Sequence, residues 1–101
     1  MDEQRLTRRE ITQALGVRCR TTLSSGTVLE GVVADCSEGG ARIAGDTAGA
    51  RVGDEAELVF LFLSGEKVGY RCTIRHVDAE QGTFGIMFTS GPIPIEVHDA
   101  E

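Results

Sequence analysis

Apolar and polar residues alternate with a period of two along most of the chain, the repeat of strands with one face buried and one in water. In residues 16–23, "GVRCRTTL", Val17, Cys19 and Leu23 fall on one face and Arg18, Arg20 and Thr22 on the other. "SSG" (24–26) reads as a hairpin loop into a second strand, 27–36, whose Gly31 is expected to mark a bulge where the chain curls. "ARIA" (41–44) is a short third strand, and the Gly-rich stretch 45–54 is a loop. Residues 55–63, "EAELVFLFL", lose the alternation in their second half, so Val59, Leu61 and Leu63 need a cover, from a terminal segment or a second copy of the chain. After a turn at 64–67, residues 67–78 alternate again. Val68, Tyr70, Cys72, Ile74 and His76 share one side, and Arg71, Thr73 and Arg75 the other. "AEQG" (79–82) turns the chain into "TFGIMF" (83–88), with Phe84, Ile86 and Phe88 inward. Six strands on short connections predict an all-β fold that closes as an antiparallel barrel or sandwich.

The termini break the pattern. Residues 7–15, "TRREITQAL", have a capping box (Thr7, Glu10) and suit a turn or two of helix. The tail, interrupted by Pro92 and Pro94, is expected to be an extended arm in which "IPIEV" can lie across the apolar strand. This divides the chain into an N-terminal arm (1–12), a barrel (13–89) and a C-terminal tail (90–101).

Composition narrows the class. The 101 residues suit one domain, and 41% hydrophobic with 26% charged residues is ordinary for a globular one. No apolar run is long enough to span a membrane and no leader-like segment opens the chain, so a cytoplasmic protein without membrane insertion is expected. Three cysteines, Cys19, Cys36 and Cys72, do not make a disulfide framework, and Cys72 with His76 is too sparse a pair for a metal site, so neither metal nor cofactor is expected. Nor is catalysis, because His76 lies on an apolar strand pattern and His98 in the tail. The net charge of −6 disfavours a nucleic-acid polymer as partner. Its distribution is uneven: residues 1–20 hold five arginines against three acids, the remainder five cations against thirteen acids. A cationic end on an acidic body fits a compact anion better than a long one.

One constellation carries chemistry. "DCSEGG" (35–40) is good turn chemistry by itself, since Asp and Ser fold back on backbone amides and glycine turns the chain. Upstream, "RLTRR" adds Arg5 and Arg9 with Arg8 between them. R-x-x-x-R (Arg5, Arg9), then after 25 residues D-x-S-x-x-G (Asp35, Ser37, Gly40), resembles the paired signature of the bacterial PilZ domain family, and the strand rhythm of about residues 5–89 resembles it too. The resemblance implies a six-stranded, Greek-key-like antiparallel β-barrel that is a receptor for the second messenger cyclic di-GMP. It also implies that Arg5, Arg8 and Arg9 clamp guanine and phosphate from a flexible arm, that Asp35 and Ser37 present acceptors from the barrel, and that Gly40 permits close backbone approach. Guanidinium forks suit guanine O6 and N7, and a carboxylate suits its N–H edge. Arg42 and Arg75, with Arg18, Arg20 and Arg71, fall on outward faces and are candidate secondary contacts, the alternative for each being a solvated side chain. The expected action is ordering of the arm over the barrel, passed on to an unidentified protein partner, with a homodimer through Val59, Leu61 and Leu63. A PilZ-like protein-interaction module without nucleotide binding is the alternative; an RNA binder is disfavoured by the few aromatics. The tail leaves little or no room for the C-terminal helix that many PilZ domains carry.

Overall fold

The computed structural model describes residues 14–94, which contain seven strands: β1 (Arg18–Leu23), β2 (Val28–Cys36), β3 (Gly40–Gly45), β4 (Glu55–Leu61), β5 (Lys67–Asp78), β6 (Thr83–Phe88) and a two-residue β7 (Ile93–Pro94). Arg5, Arg8 and Arg9, most of the helical turn expected over 7–15, and His98 lie outside the described residues. All pairings are antiparallel and run in the order β4–β1–β2–β3–β6–β5, closed into a barrel by β4 on β5. Closure satisfies the backbone groups that would otherwise line two sheet edges. The long β5 makes it possible, pairing with β4 along 67–73 on one side and with β6 along 72–78 on the other. On that second side β7 continues the ladder, setting Ile93 opposite Gly69 and Pro94 opposite Val68.

The inward faces fill the barrel. Leu29, Val33, Ile43, Leu58, Phe60, Tyr70, Ile74 and Phe84 are all buried, and so is Ala14, ahead of β1. Tyr70 lies against Phe88 at 4.6 Å between ring centres and meets Phe60 edge-on at 5.6 Å, an arrangement that aromatic quadrupoles favour. Truncating Phe60 to alanine would cost about 3–5 kcal/mol at a site this well packed. Thr21 also faces inward, fully buried, and its hydroxyl has no hydrogen-bond partner.

Two expectations about the strands are corrected. Gly31 is not a bulge. It lies in regular register between Cys19 and Gly45, and a Cβ there would come within 2.5 Å of the Ala44 carbonyl oxygen. The irregularity falls instead between Val33 and Asp35, with Ala34 as the extra residue. His76 likewise does not continue the inward row. A second irregularity, between Ile74 and His76, inserts Arg75, leaves Arg75 and His76 both exposed, and returns Val77 to the core. An unbroken period would have put Val77 in water and an imidazole inside, so the bulge lowers the cost at both positions.

Leu63, expected to continue the face of Val59 and Leu61, lies beyond β4 in the connection to β5. That connection is closed by hydrogen bonds from the Phe62 amide to Glu66 O and from the Gly65 amide to Phe62 O. Val59 and Leu61 are half-buried on the strand, whereas Leu63 is fully exposed.

Candidate ligand-binding site on the outer face of the barrel

The β2–β3 hairpin holds the barrel-borne half of the sequence constellation. Its tip is closed by the Ser37 amide donating to the Gly40 carbonyl at 2.9 Å, and β6 anchors it through the Phe88 amide donating to Gly39 O at 2.8 Å. The Ser37 hydroxyl reaches the Gly40 carbonyl only at 3.4 Å, a weak bond, so its lone pairs remain able to accept. Asp35 is exposed. One of its carboxylate oxygens takes the Cys36 amide at 2.9 Å, which fixes the side chain without using its second oxygen. Gly40 is buried opposite Met87, and a Cβ there would run into the Ile86 carbonyl, so the tight approach of β6 already accounts for the glycine.

Cys36 is half-buried at the base of the hairpin, its thiol donating to the Ser37 carbonyl at 3.7 Å. Burial first, and then the neighbouring Asp35 charge, push this thiol up to about 11, against a smaller opposing effect of the Ser37 hydrogen bond. It is therefore a neutral neighbour and no nucleophile. Cys19 and Cys72 are pushed up to about 12, again chiefly by burial, with Glu30 and Glu57 adding to it.

Asp35, Cys36, Ser37, Gly40, Ala41, Arg42 and Ile86 line an open hollow of about 250 Å³. That is smaller than the roughly 300–1,000 Å³ of pockets that enclose a small molecule, so the hollow offers part of a site. A larger hollow, of about 570 Å³, lies between β1, β4 and β5, away from the hairpin. Glu55 and Glu57 line it against a single Arg71, a charge balance unsuited to an anion, and we favour the smaller hollow on its chemistry.

Of the sequence-derived site residues, Asp35, Ser37, Gly40 and Arg42 are together. Arg75 stands apart on β5, its guanidinium 3.9 Å from the Met87 sulfur. The register adds two residues that the sequence reading did not assign to the site. Asp35 pairs with Arg42, Arg42 with Gly85 and Gly85 with His76, one row across β2, β3, β6 and β5. The signal for His76 was present in "IRHVD", where two polar residues in succession break the period. Among the described residues no cluster of His, Cys, Asp and Glu could hold a metal ion. No helix among them is long and apolar enough to cross a membrane.

The structure is thus a small closed antiparallel β-barrel with an open hollow, lined in part by polar side chains, on its outer wall. The chain belongs to the PilZ domain family, whose model matches residues 3–98, nearly the whole sequence. PilZ domains are binding modules for cyclic di-GMP. No curated protein and no solved structure gives a significant match to the chain.

Proposed function

We propose that this protein is a cyclic di-GMP receptor of the bacterial cytoplasm, non-enzymatic, in which ligand binding orders the N-terminal arm over the β2–β3 hairpin and the new surface is read by a protein partner. The observation that carries this reading is the juxtaposition of an exposed carboxylate, Asp35, and an exposed guanidinium, Arg42, beside the Ser37 hydroxyl. Together they offer acceptors for the N–H edge of guanine and a donor fork for its O6 and N7 edge. Membership of the PilZ family supports the ligand, and the incompleteness of the hollow supports a second contributor.

Arg5, Arg8 and Arg9 are that contributor in this reading, taking the phosphodiesters and the remaining guanine edge. Close together they repel one another, and an anion removes the repulsion and fastens the segment to the barrel. Gly40 acts indirectly by letting the hairpin lie against β6, and Arg75 is a secondary contact. The exposed Leu63, with Val59 and Leu61, is a contact for a second copy. Sedimentation well above micromolar concentration tests that part, and a strictly monomeric species counts against it.

Titration calorimetry with cyclic di-GMP, GMP and a short RNA tests the whole reading. Heat from the cyclic dinucleotide alone supports it. Silence toward all three favours a PilZ module that binds only protein.

A further inference from the structure

The outer face of β1 and β4 is cationic at one end and acidic at the other. Arg18, Arg20 and Thr22 alternate with buried residues on β1 and lie opposite Leu61, Val59 and Glu57 of β4. On the other side β2 sets Val32 beside Arg18, Glu30 beside Arg20 and Val28 beside Thr22. Val28 and Val32 are exposed and Val59 and Leu61 half-buried, so aliphatic side chains flank the basic strand on both sides. Arg20 is matched by Glu30 at 3.2 Å. Arg18 is not: its two cross-strand neighbours, Val32 and Leu61, are both apolar. Four residues further along β1, about 13 Å away, the face turns acidic. There Glu55 and Glu57, both exposed, line the larger hollow of about 570 Å³ together with Thr22 and Ser24. Glu57 stands opposite Arg71, and among the described residues no ion pair joins them.

We propose that a second copy of the chain docks on this wall, each copy placing Arg18 in the acidic hollow of the other, against the partner's Glu57. The inference rests on the second-copy contact proposed above for Val59, Leu61 and Leu63. In a closed dimer the same patch serves both copies, so it has to be complementary to itself. This wall meets that condition. A two-fold axis lying across the strands at the row of Arg20 and Val59 exchanges the two ends, so the cationic end meets the acidic end twice. The valines and Leu61 between them then leave water. Arginine among apolar side chains is the composition of interface centres, and a guanidinium is weakly hydrated, with five donors for the carboxylates and hydroxyls of the hollow. The tail beyond Pro94 carries acids but no lysine or arginine, so it complements only the cationic end. A second copy complements both. The hollow at the hairpin is lined from β2, β3 and β6, outside β1 and β4, which leaves each copy its own ligand site.

Charge reversal tests the pairing, read by sedimentation equilibrium well above micromolar concentration, with thermal unfolding of each variant alongside. The wild-type chain is expected to be a dimer. Arg18→Glu and Glu57→Arg should each weaken self-association by about a hundredfold or more, because the two-fold repeats the like-charge clash. Both positions are exposed, so both variants should fold. Arg18→Glu/Glu57→Arg in one chain should restore the dimer. Mixing the two single variants should restore it too, since every charge then meets its opposite. Dimers of wild-type strength from both single variants overturn the wall and leave the second-copy contact at Leu63 standing. Failure of the double variant and of the mixture to associate overturns the pairing of Arg18 with the partner's Glu57. A strictly monomeric wild-type chain overturns this inference and the second-copy contact together, and leaves the wall to the tail or to another protein.

Discussion

Asp35 and Arg42 stand opposite each other across the β2–β3 ladder, both exposed, and no ion pair joins them, whereas Arg20 and Glu30, equally opposite across β1–β2, close one at 3.2 Å. A carboxylate and a guanidinium left apart on one surface remain available to a ligand that carries both donors and acceptors. Calorimetry is expected to show Asp35→Ala and Arg42→Ala each weakening cyclic di-GMP by about ten- to a hundredfold, the worth of one charged hydrogen bond. Neither exposed substitution should move stability by more than about 0.5 kcal/mol. Loss of binding together with loss of fold would remove the assignment.

The arm is tested separately. Arg9→Ala is expected to lower affinity by the same ten- to hundredfold, and added salt should weaken the wild-type complex more than this variant, which has one cation fewer to screen. An unchanged affinity in Arg9→Ala would show that R-x-x-x-R is not part of the site.

Thr21 provides a prediction about the barrel itself. Its buried hydroxyl lacks a partner, and valine has nearly its shape without the polar group. Thr21→Val should therefore stabilise the protein by about 1–3 kcal/mol, a rise of several degrees in melting temperature. A lower melting temperature would mean that the hydroxyl is satisfied in solution.

Gly40→Ala is expected to have the opposite effect. Its Cβ would strike the Ile86 backbone, which cannot step aside like a flexible side chain, and a cost of about 1–3 kcal/mol follows. Equilibrium unfolding in urea measures it, and a neutral result would free Gly40 from its structural role and return it to the ligand.

Stability should fall on the alkaline side. Burial raises Cys19 and Cys72 from 9.0 to about 12, so the folded state holds protons that the unfolded chain releases. The stabilisation is complete below pH 9, is lost as pH rises from there, and is gone above about 12. Urea midpoints should drop between pH 8.5 and 11. In Cys19→Ala/Cys72→Ala, less stable overall, that slope should flatten. An equal slope would place its origin elsewhere.

The strands were legible in the sequence because period-two alternation is a local signal, and β5 was expected over the same residues that form it. What could not be read was where the alternation slips. A bulge depends on how the neighbouring strand is paired, so Ala34 carries no mark of its own, and at β5 the adjacent polar residues Arg75 and His76 are the one local sign of the slip. Gly31 misled for a related reason: the crowding that excludes a side chain there comes from Ile43 and Ala44, twelve and thirteen positions further along. The hairpin half of the site was visible because Asp35, Ser37 and Gly40 lie within six residues. The row running on from Arg42 to Gly85 and His76 exists only once three strands have been brought into register.

The two bulges allow the outside of this wall to change while its inside stays the same. Each places two successive side chains in water, Ala34 with Asp35 and Arg75 with His76, while Val33, Ile74 and Val77 keep their places in the packing. Substitutions at those four outer positions touch no core neighbour, so selection, or an engineer, can retune what the barrel recognises without first solving a new folding problem.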